Sequence, residues 1–300
     1  MKIKFPKIKY ILPFMGLLLL IIPAARSNTT ICTNTCPKPP FNIGNPVSRG
    51  FQQISGLNFL AAKFAELQIA KQLQKFAQGN VVVNVDSFSA TDLAAGKLKG
   101  LEINASNVNL DDVYVSSIKA KSVCDFIHVD YNSKPVALLQ PLDMKLNGVI
   151  TQDDLNKTIS SPKYLSRIEN IKINNNGTSF IKLKSPKIAL KNDGMVLAAG
   201  LWMSGTPANF VVPVEFNTGL KVNNGRIEFS DSKINTGFFK LNLSLPQSVY
   251  NAINPILYNL SNLDQSGSKL NFEKVVIDNG QINIEGSLWL PKTNKTNTIK

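Results

Sequence analysis

An α+β fold dominated by antiparallel sheet is predicted for this chain, on three observations. From Gly79 onward apolar residues recur with period two, as in Val81, Val83 and Val85. Each strand therefore has one apolar face, the mark of antiparallel sheet. Five Asn-Gly or Asp-Gly dipeptides, at 147–148, 176–177, 193–194, 224–225 and 279–280, lie beside such runs and tolerate the positive φ that two-residue hairpins need. Ahead of the strands, Leu57 to Ala77 contains neither Pro nor Gly. Leu57, Leu60, Ala61, Phe64 and Leu67 recur there at helical spacing, which predicts one long helix ended by Gly79.

Taken in order, the chain opens with Lys2, Lys4, Lys7 and Lys9, an apolar run from Tyr10 to Pro23, and Ala25-Arg26-Ser27. That order is a secretory signal peptide over 1–27, with cleavage expected after Ser27. The run is shorter than the roughly 20 residues a spanning helix needs; an uncleaved anchor is the alternative. Cys32 follows Thr29-Thr30-Ile31 and lacks the small-residue box of a lipoprotein signal. The expected location is periplasmic or otherwise extracytoplasmic. Residues 28–55 read as a Pro-rich leader, and 56–291 as a single domain.

Within the long helix the apolar stripe changes side. Ile69, Ala70, Leu73, Phe76 and Ala77 fall nearly opposite the first-half stripe, so either the helix kinks near Gln68 or a strongly twisted sheet rolls around it and buries different sides at its two ends. The strands that follow alternate through Leu101, Ile103 and Ala105, then Val113 and Val115, then Ile118 and Ala120. Phase slips at Gly100 and at Ser116-Ser117 predict bulges. Later runs hold Val212, Val214 and Phe216, then Leu241, Leu243 and Leu245, then Ile282, Ile284, Leu288 and Leu290. Two short helices are expected near 152–160 and 246–260. Thr151 to Asp154 forms a capping-box variant before the first, and Pro246 suits the first turn of the second, which runs toward Leu257 past Pro255. The tail 292–300 reads as disordered.

The five basic residues of the first 27 and no acid leave 28 bases against 20 acids, a net charge of +8 on the remaining 273 residues. A basic exported protein meets anionic phospholipid head groups at the membrane surface. Nucleic acid is not expected, because Phe88, Phe126, Phe180, Phe216, Phe229 and Phe272 sit singly in strand-like runs and form no stacking platform. Cys32, Cys36 and Cys124 allow several pairings, Cys32–Cys36 among them, and do not decide between them. No enzyme signature is present: His128 is the only histidine, and no nucleophile-elbow, zinc-protease or phosphate-loop pattern occurs. Asp111-Asp112 reads as a turn and Asp153-Asp154 as a helix start. Catalytic residues, metal and cofactor are therefore expected to be none.

The order of parts resembles the LmeA-like phospholipid-binding family of bacterial envelope proteins. The resemblance is carried by Lys97 to Leu101 with the strand pair through Lys121, by Leu146 to Asn156 with its Asp154-Leu155-Asn156 stretch, and by Leu245-Pro246 followed by Ile277 to Ile282. It implies a fold akin to the tubular lipid-binding proteins and an apolar groove for acyl chains. The side chains expected to line that groove are Leu57, Leu60, Phe64 and Leu67 of the long helix, with Val249, Ile253, Ile256 and Leu257 of the late one. The expected ligand is anionic phospholipid. The rival reading is an envelope scaffold or adhesion module with a fully packed core.

Overall fold

The computed structural model describes residues 36, 38–44, 57–74, 77–131, 133, 137–169, 171–172, 180–192, 194–236, 240–241, 247–256 and 267–293. The signal segment and its cleavage site, Cys32, Phe76, Asn176-Gly177, Leu243, Leu245, Pro246 and Leu257 lie outside them, as does the side chain of Leu57.

The fold is α+β, with two antiparallel sheets among the described residues. Helix α1 (Leu57–Leu73) precedes β1 (Gln78–Ser87), the short α2 (Ala90–Ala94), β2 (Lys97–Leu110), β3 (Val113–Ser122), β4 (Ile127–Asp130), β5 (Ala137–Leu138) and β6 (Leu142–Thr151). Two helices follow, α3 (Gln152–Ile159) and α4 (Pro162–Ile168). Next come β7 (Ile171–Lys172), β8 (Phe180–Lys191), β9 (Gly194–Met203), β10 (Val212–Asn223), β11 (Arg226–Thr236) and β12 (Lys240–Leu241). Helix α5 (Gln247–Ile253) leads to β13 (Lys269–Asp278) and β14 (Gln281–Leu290). The first sheet runs β13-β14-β6-β3-β2-β4-β5 with β1 also paired to β2; the second runs β12-β11-β10-β9-β8-β7.

The hairpin turns follow local chemistry. Asn224-Gly225 and Asn279-Gly280 take positive φ at both positions, as do Asp111-Asp112 between β2 and β3. Asp112 is steadied there by its N–H, which donates to Asn109 Oδ1 at 2.8 Å. Gly194 opens β9 across from Lys191. Asn147-Gly148 departs from expectation: both residues lie inside β6, paired to β3 on one side and β14 on the other. Two ladders hold that dipeptide extended and override its turn preference.

Bulges bend the long strands. One sits opposite Asp86 and Ser87, where β2 gains a residue next to Gly100, as the phase slip predicts. The second lies on β2 at Asn107, with φ 51°, and not on β3, whose pairing with β2 keeps one register through Ser116-Ser117. A residue in the left-handed region absorbs the extra length in one strand, so the neighbour changes phase without a bulge of its own.

Both terminal helices end earlier than the apolar pattern suggests. Helix α1 stops at Leu73, although Ala77 N–H still donates to Leu73 O at 3.0 Å. Helix α5 stops at Ile253 and not near Leu257, because Pro255 lacks an N–H and disfavours helical geometry at Asn254. Helix α4 is additional to the two short helices expected from the sequence; Ser161 caps it and Pro162 occupies its first turn.

Apolar side chains gather in two cores. The first joins α3, α4, α5 and the second sheet to Val108, Val115, Ile150, Ile277 and Ile282 of the first sheet. The second joins α1 and α2 to Val81, Val83, Leu98, Leu101, Leu142, Met144 and Leu290. The β10–β11 turn is tied to β13: Phe272 N–H donates to Gly225 O at 2.9 Å, and Gly225, at φ 72°, lies close against the Asn271 side chain.

The described part of the leader, residues 36 and 38–44, is strapped onto the first sheet. Cys36 and Cys124 form a disulfide, Cα atoms 5.5 Å apart, across 88 positions. Lys97 Nζ donates to Asn42 O at 2.7 Å. Gly44 N–H donates to the buried Asp92 carboxylate at 3.1 Å, which also accepts from Ser89 Oγ at 2.6 Å.

A candidate lipid site between two cores

The apolar face of the first sheet is buried at both ends and only half-covered in between. Across the middle, Ile103 and Ala105 of β2 lie opposite Ala120 and Ile118 of β3. Those face Leu146 and Gly148 of β6, which face Gly286 and Ile284 of β14. Phe272 and Val275 of β13 complete the band. Ile103, Ala105, Ile118, Leu146, Gly148, Ile284 and Phe272 are half-buried and only the small Ala120 and Gly286 beside them are buried, whereas Leu101 and Met144 on one side and Val108 and Ile150 on the other are buried. Small residues at 105, 120, 148 and 286 lower the floor of the band. Such a strip suits aliphatic chains, which gain about 0.8 kcal/mol per CH₂ taken from water.

The side chains expected to line a groove fall in different surroundings. Val249, Ile253 and Ile256 are 1%, 3% and 4% exposed within the first core. Leu60, Phe64 and Leu67 lie on the outward face of α1 and are 66%, 66% and 69% exposed. The structure does not bring the two sets together. Their helices belong to cores at opposite ends of the band, and strand residues form its floor. The signal that could have found these residues is the alternation of small and large apolar side chains along the rows Ile103–Ala120–Leu146–Gly286 and Ala105–Ile118–Gly148–Ile284, visible only once strand pairing is known.

The segment Gln152 to Asn156 acts as a joint between the sheets. Asn156 Nδ2 donates to Ile188 O at 2.8 Å while its Oδ1 accepts from Ile188 N–H at 2.9 Å, so the side-chain amide pairs with β8 as a strand would. Gln152 Oε1 accepts from Leu190 N–H at 2.9 Å. On the other side, Asp154 completes the capping box with Thr151 and accepts from Ser116 Oγ of β3. Burial opposes the Asp154 charge, but these donors outweigh it and hold its carboxyl below the ordinary aspartate value. Its lone pairs serve the fold.

His128 is also occupied structurally. It points away from the core residues Ile127 and Val129, and Phe41 of the leader packs on its ring at 5.0 Å. Burial first, and then the Lys97 charge, lower its pKa against the pull of Asp130. No group of three or more His, Cys, Asp or Glu side chains able to hold a metal occurs among the described residues. A hollow of about 560 Å³ opens on the second sheet beside Ala198, Gly200 and Pro213, with Lys187 and Glu215 at its sides. Its mixed charges and openness suit an acyl chain less well than the band does.

Fold and band together define an antiparallel α+β protein with a surface suited to an aliphatic ligand. The sequence model of the family described as LmeA-like phospholipid-binding matches residues 56–287, most of the chain, and the protein belongs to that family. No curated protein and no solved structure matches it.

Proposed function

We propose that this is an exported, non-enzymatic phospholipid-binding protein of the bacterial cell envelope, with residues 56–291 as the binding domain, which holds acyl chains along the half-covered band. The observation that carries the reading is that band, an apolar strip left incompletely covered between two closed cores in a member of a phospholipid-binding family. Export is supported by the lysine-led apolar N-terminus and by the Cys36–Cys124 disulfide, a cross-link that persists in oxidising compartments. A preference for anionic lipid is supported by the net charge of +8 beyond residue 27.

The test is to fill the band. A Cβ at Gly148 would meet Ile284 and Ser117 at 3.9 Å, ordinary contact distance, and its φ is not in the left-handed region. Gly148→Phe therefore places a ring over the strip without straining the backbone. Native mass spectrometry of the purified protein should show co-purified phospholipid in the wild type and at least a tenfold lower occupancy in the variant, with unchanged circular dichroism. A folded wild type that holds no phospholipid, or a variant that holds as much, overturns the reading in favour of a packed scaffold.

A further inference from the structure

Helix α1 carries its side chains in the reverse of the order that water selects. Its inward stripe is mostly small: Ala61, Ala62, Ala65 and Ala70, with Ile69 and Leu73. Its outward stripe holds Phe59, Leu60, Phe64 and Leu67, each 64–69% exposed. A helix surrounded only by water turns its large apolar residues toward the core, and a contiguous exposed apolar patch marks an interaction surface.

The charges on the helix are sorted as well. Glu66, the only acid between residues 57 and 74, is turned inward: it accepts from Val85 N–H at 3.1 Å and ion-pairs with Lys63 at 2.7 Å. Lys63 and Lys71 are exposed, and Lys63 Nζ also stands 5.8 Å from the Phe59 ring. The outward face thus has four large apolar side chains, two lysines and no carboxylate.

We propose that the outward face of α1 is a membrane-docking surface that seats the protein on an anionic phospholipid bilayer. Phe59, Leu60, Phe64 and Leu67 enter the acyl region, and Lys63 and Lys71 meet head-group phosphates. The proposal rests on the phospholipid-binding reading but assigns a second surface, since the band takes individual lipid molecules and the helix takes the bilayer. Charge complementarity selects this occupant over a second copy of the chain, because two such faces would oppose lysine with lysine and supply no acid. At 17 residues the helix is about 25 Å long, and no helix among the described residues is long and apolar enough to cross a membrane. Seated by this face, the helix would lie along the interface plane with Phe59, Leu60, Phe64 and Leu67 toward the acyl chains.

The experiment compares the full mature chain with its Phe64→Ser/Leu67→Ser variant. One arm measures co-sedimentation with vesicles of phosphatidylglycerol and phosphatidylcholine in equal parts, and with phosphatidylcholine alone. A second arm measures capture of dihexanoyl phosphatidylglycerol below its micellar concentration. The wild type should prefer the anionic vesicles, and the variant should bind them about 100-fold more weakly, roughly tenfold per side chain. Its circular dichroism and its capture of the short-chain lipid should be unchanged. Equal vesicle binding by the two proteins overturns the proposal. So does a wild-type dimer that the variant dissolves while neither binds vesicles, which would give the face to a second copy. Vesicle docking without short-chain capture would defeat the acyl-band reading and leave the docking surface standing.

Discussion

Helices α1 and α5 stand with the cores at opposite ends of the apolar band and are built in opposite ways. Helix α5 has seven residues and is pinned to the first core by its buried face. Val249 and Ile253 are buried, and Tyr250 packs on Phe216 and Phe229 at 5.6 and 6.5 Å. Tyr164 Oη donates to Ile253 O at 2.6 Å, and Arg167 donates to Asn251 O at 2.9 Å. Helix α1 is more than twice as long, yet it turns alanines to the sheet and its largest side chains to solvent. The difference teaches that apolar content does not identify the core-facing side of a helix. Small side chains permit close approach to a sheet, and large ones can be placed outside when something other than water is to meet them.

The contrast can be broken most directly by putting the same charge into each helix. Ile253→Asp buries a carboxylate without a partner and should cost about 4 kcal/mol or more. Leu67→Asp should change stability by no more than about 0.5 kcal/mol. Urea unfolding of the two variants gives both numbers, and equal losses would show that α1's outer face is part of a core.

The next largest effect belongs to the α1 end. Cys124 lies between β3 and β4, which contribute Ala120, Ile127 and Val129 to the α1 core. Cys36→Ser, which opens an 88-position loop, should cost about 3 kcal/mol. Hydrogen exchange should rise more in β1 to β4 than around α5; a uniform rise would deny the cores their independence.

At the α5 end, Asn156→Ala strips Ile188 of both hydrogen bonds to the side-chain amide. A loss of about 2 kcal/mol is expected, with faster exchange at Ile188. Retained protection there would mean that β8 has another partner.

The smallest effect concerns pH. His128 is held below the ordinary histidine value, by burial and then by Lys97, so the unfolded chain takes up the proton first as pH falls. The stability this contributes is complete above about pH 6.5 and is lost as pH falls from there toward the folded-state value. Melting temperature should decline between pH 7.5 and 5 in the wild type and less in His128→Asn. A steeper decline in the variant would reverse the sign of the shift.

Much of this protein is legible in its sequence. The antiparallel α+β class follows from the period-two runs, the turns at 224–225 and 279–280 from their dipeptides, and the capped start of α3 from Thr151 and Asp154. These are local properties, set by φ preferences and by hydrogen bonds spanning three or four residues. The candidate site was less legible. Leu60, Phe64 and Leu67 were recognisable as apolar residues on one helix face, but not as facing outward.

What the tertiary structure alone decided are the long-range choices. Asn147-Gly148 extends because β3 and β14 both pair with it. Cys36 bonds Cys124 because the leader lies across the start of β4, with Phe41 on His128. The band takes its relief from strand pairing, which alternates Ala105 and Gly148 with Ile118 and Ile284 in one row and Ala120 and Gly286 with Ile103 and Leu146 in the next. The sequence by itself determined which face of each strand is apolar, since that depends on alternation within a few residues. Which part of that face is covered depends on where distant helices dock, and their docking is governed by the fit of whole surfaces that no local pattern records.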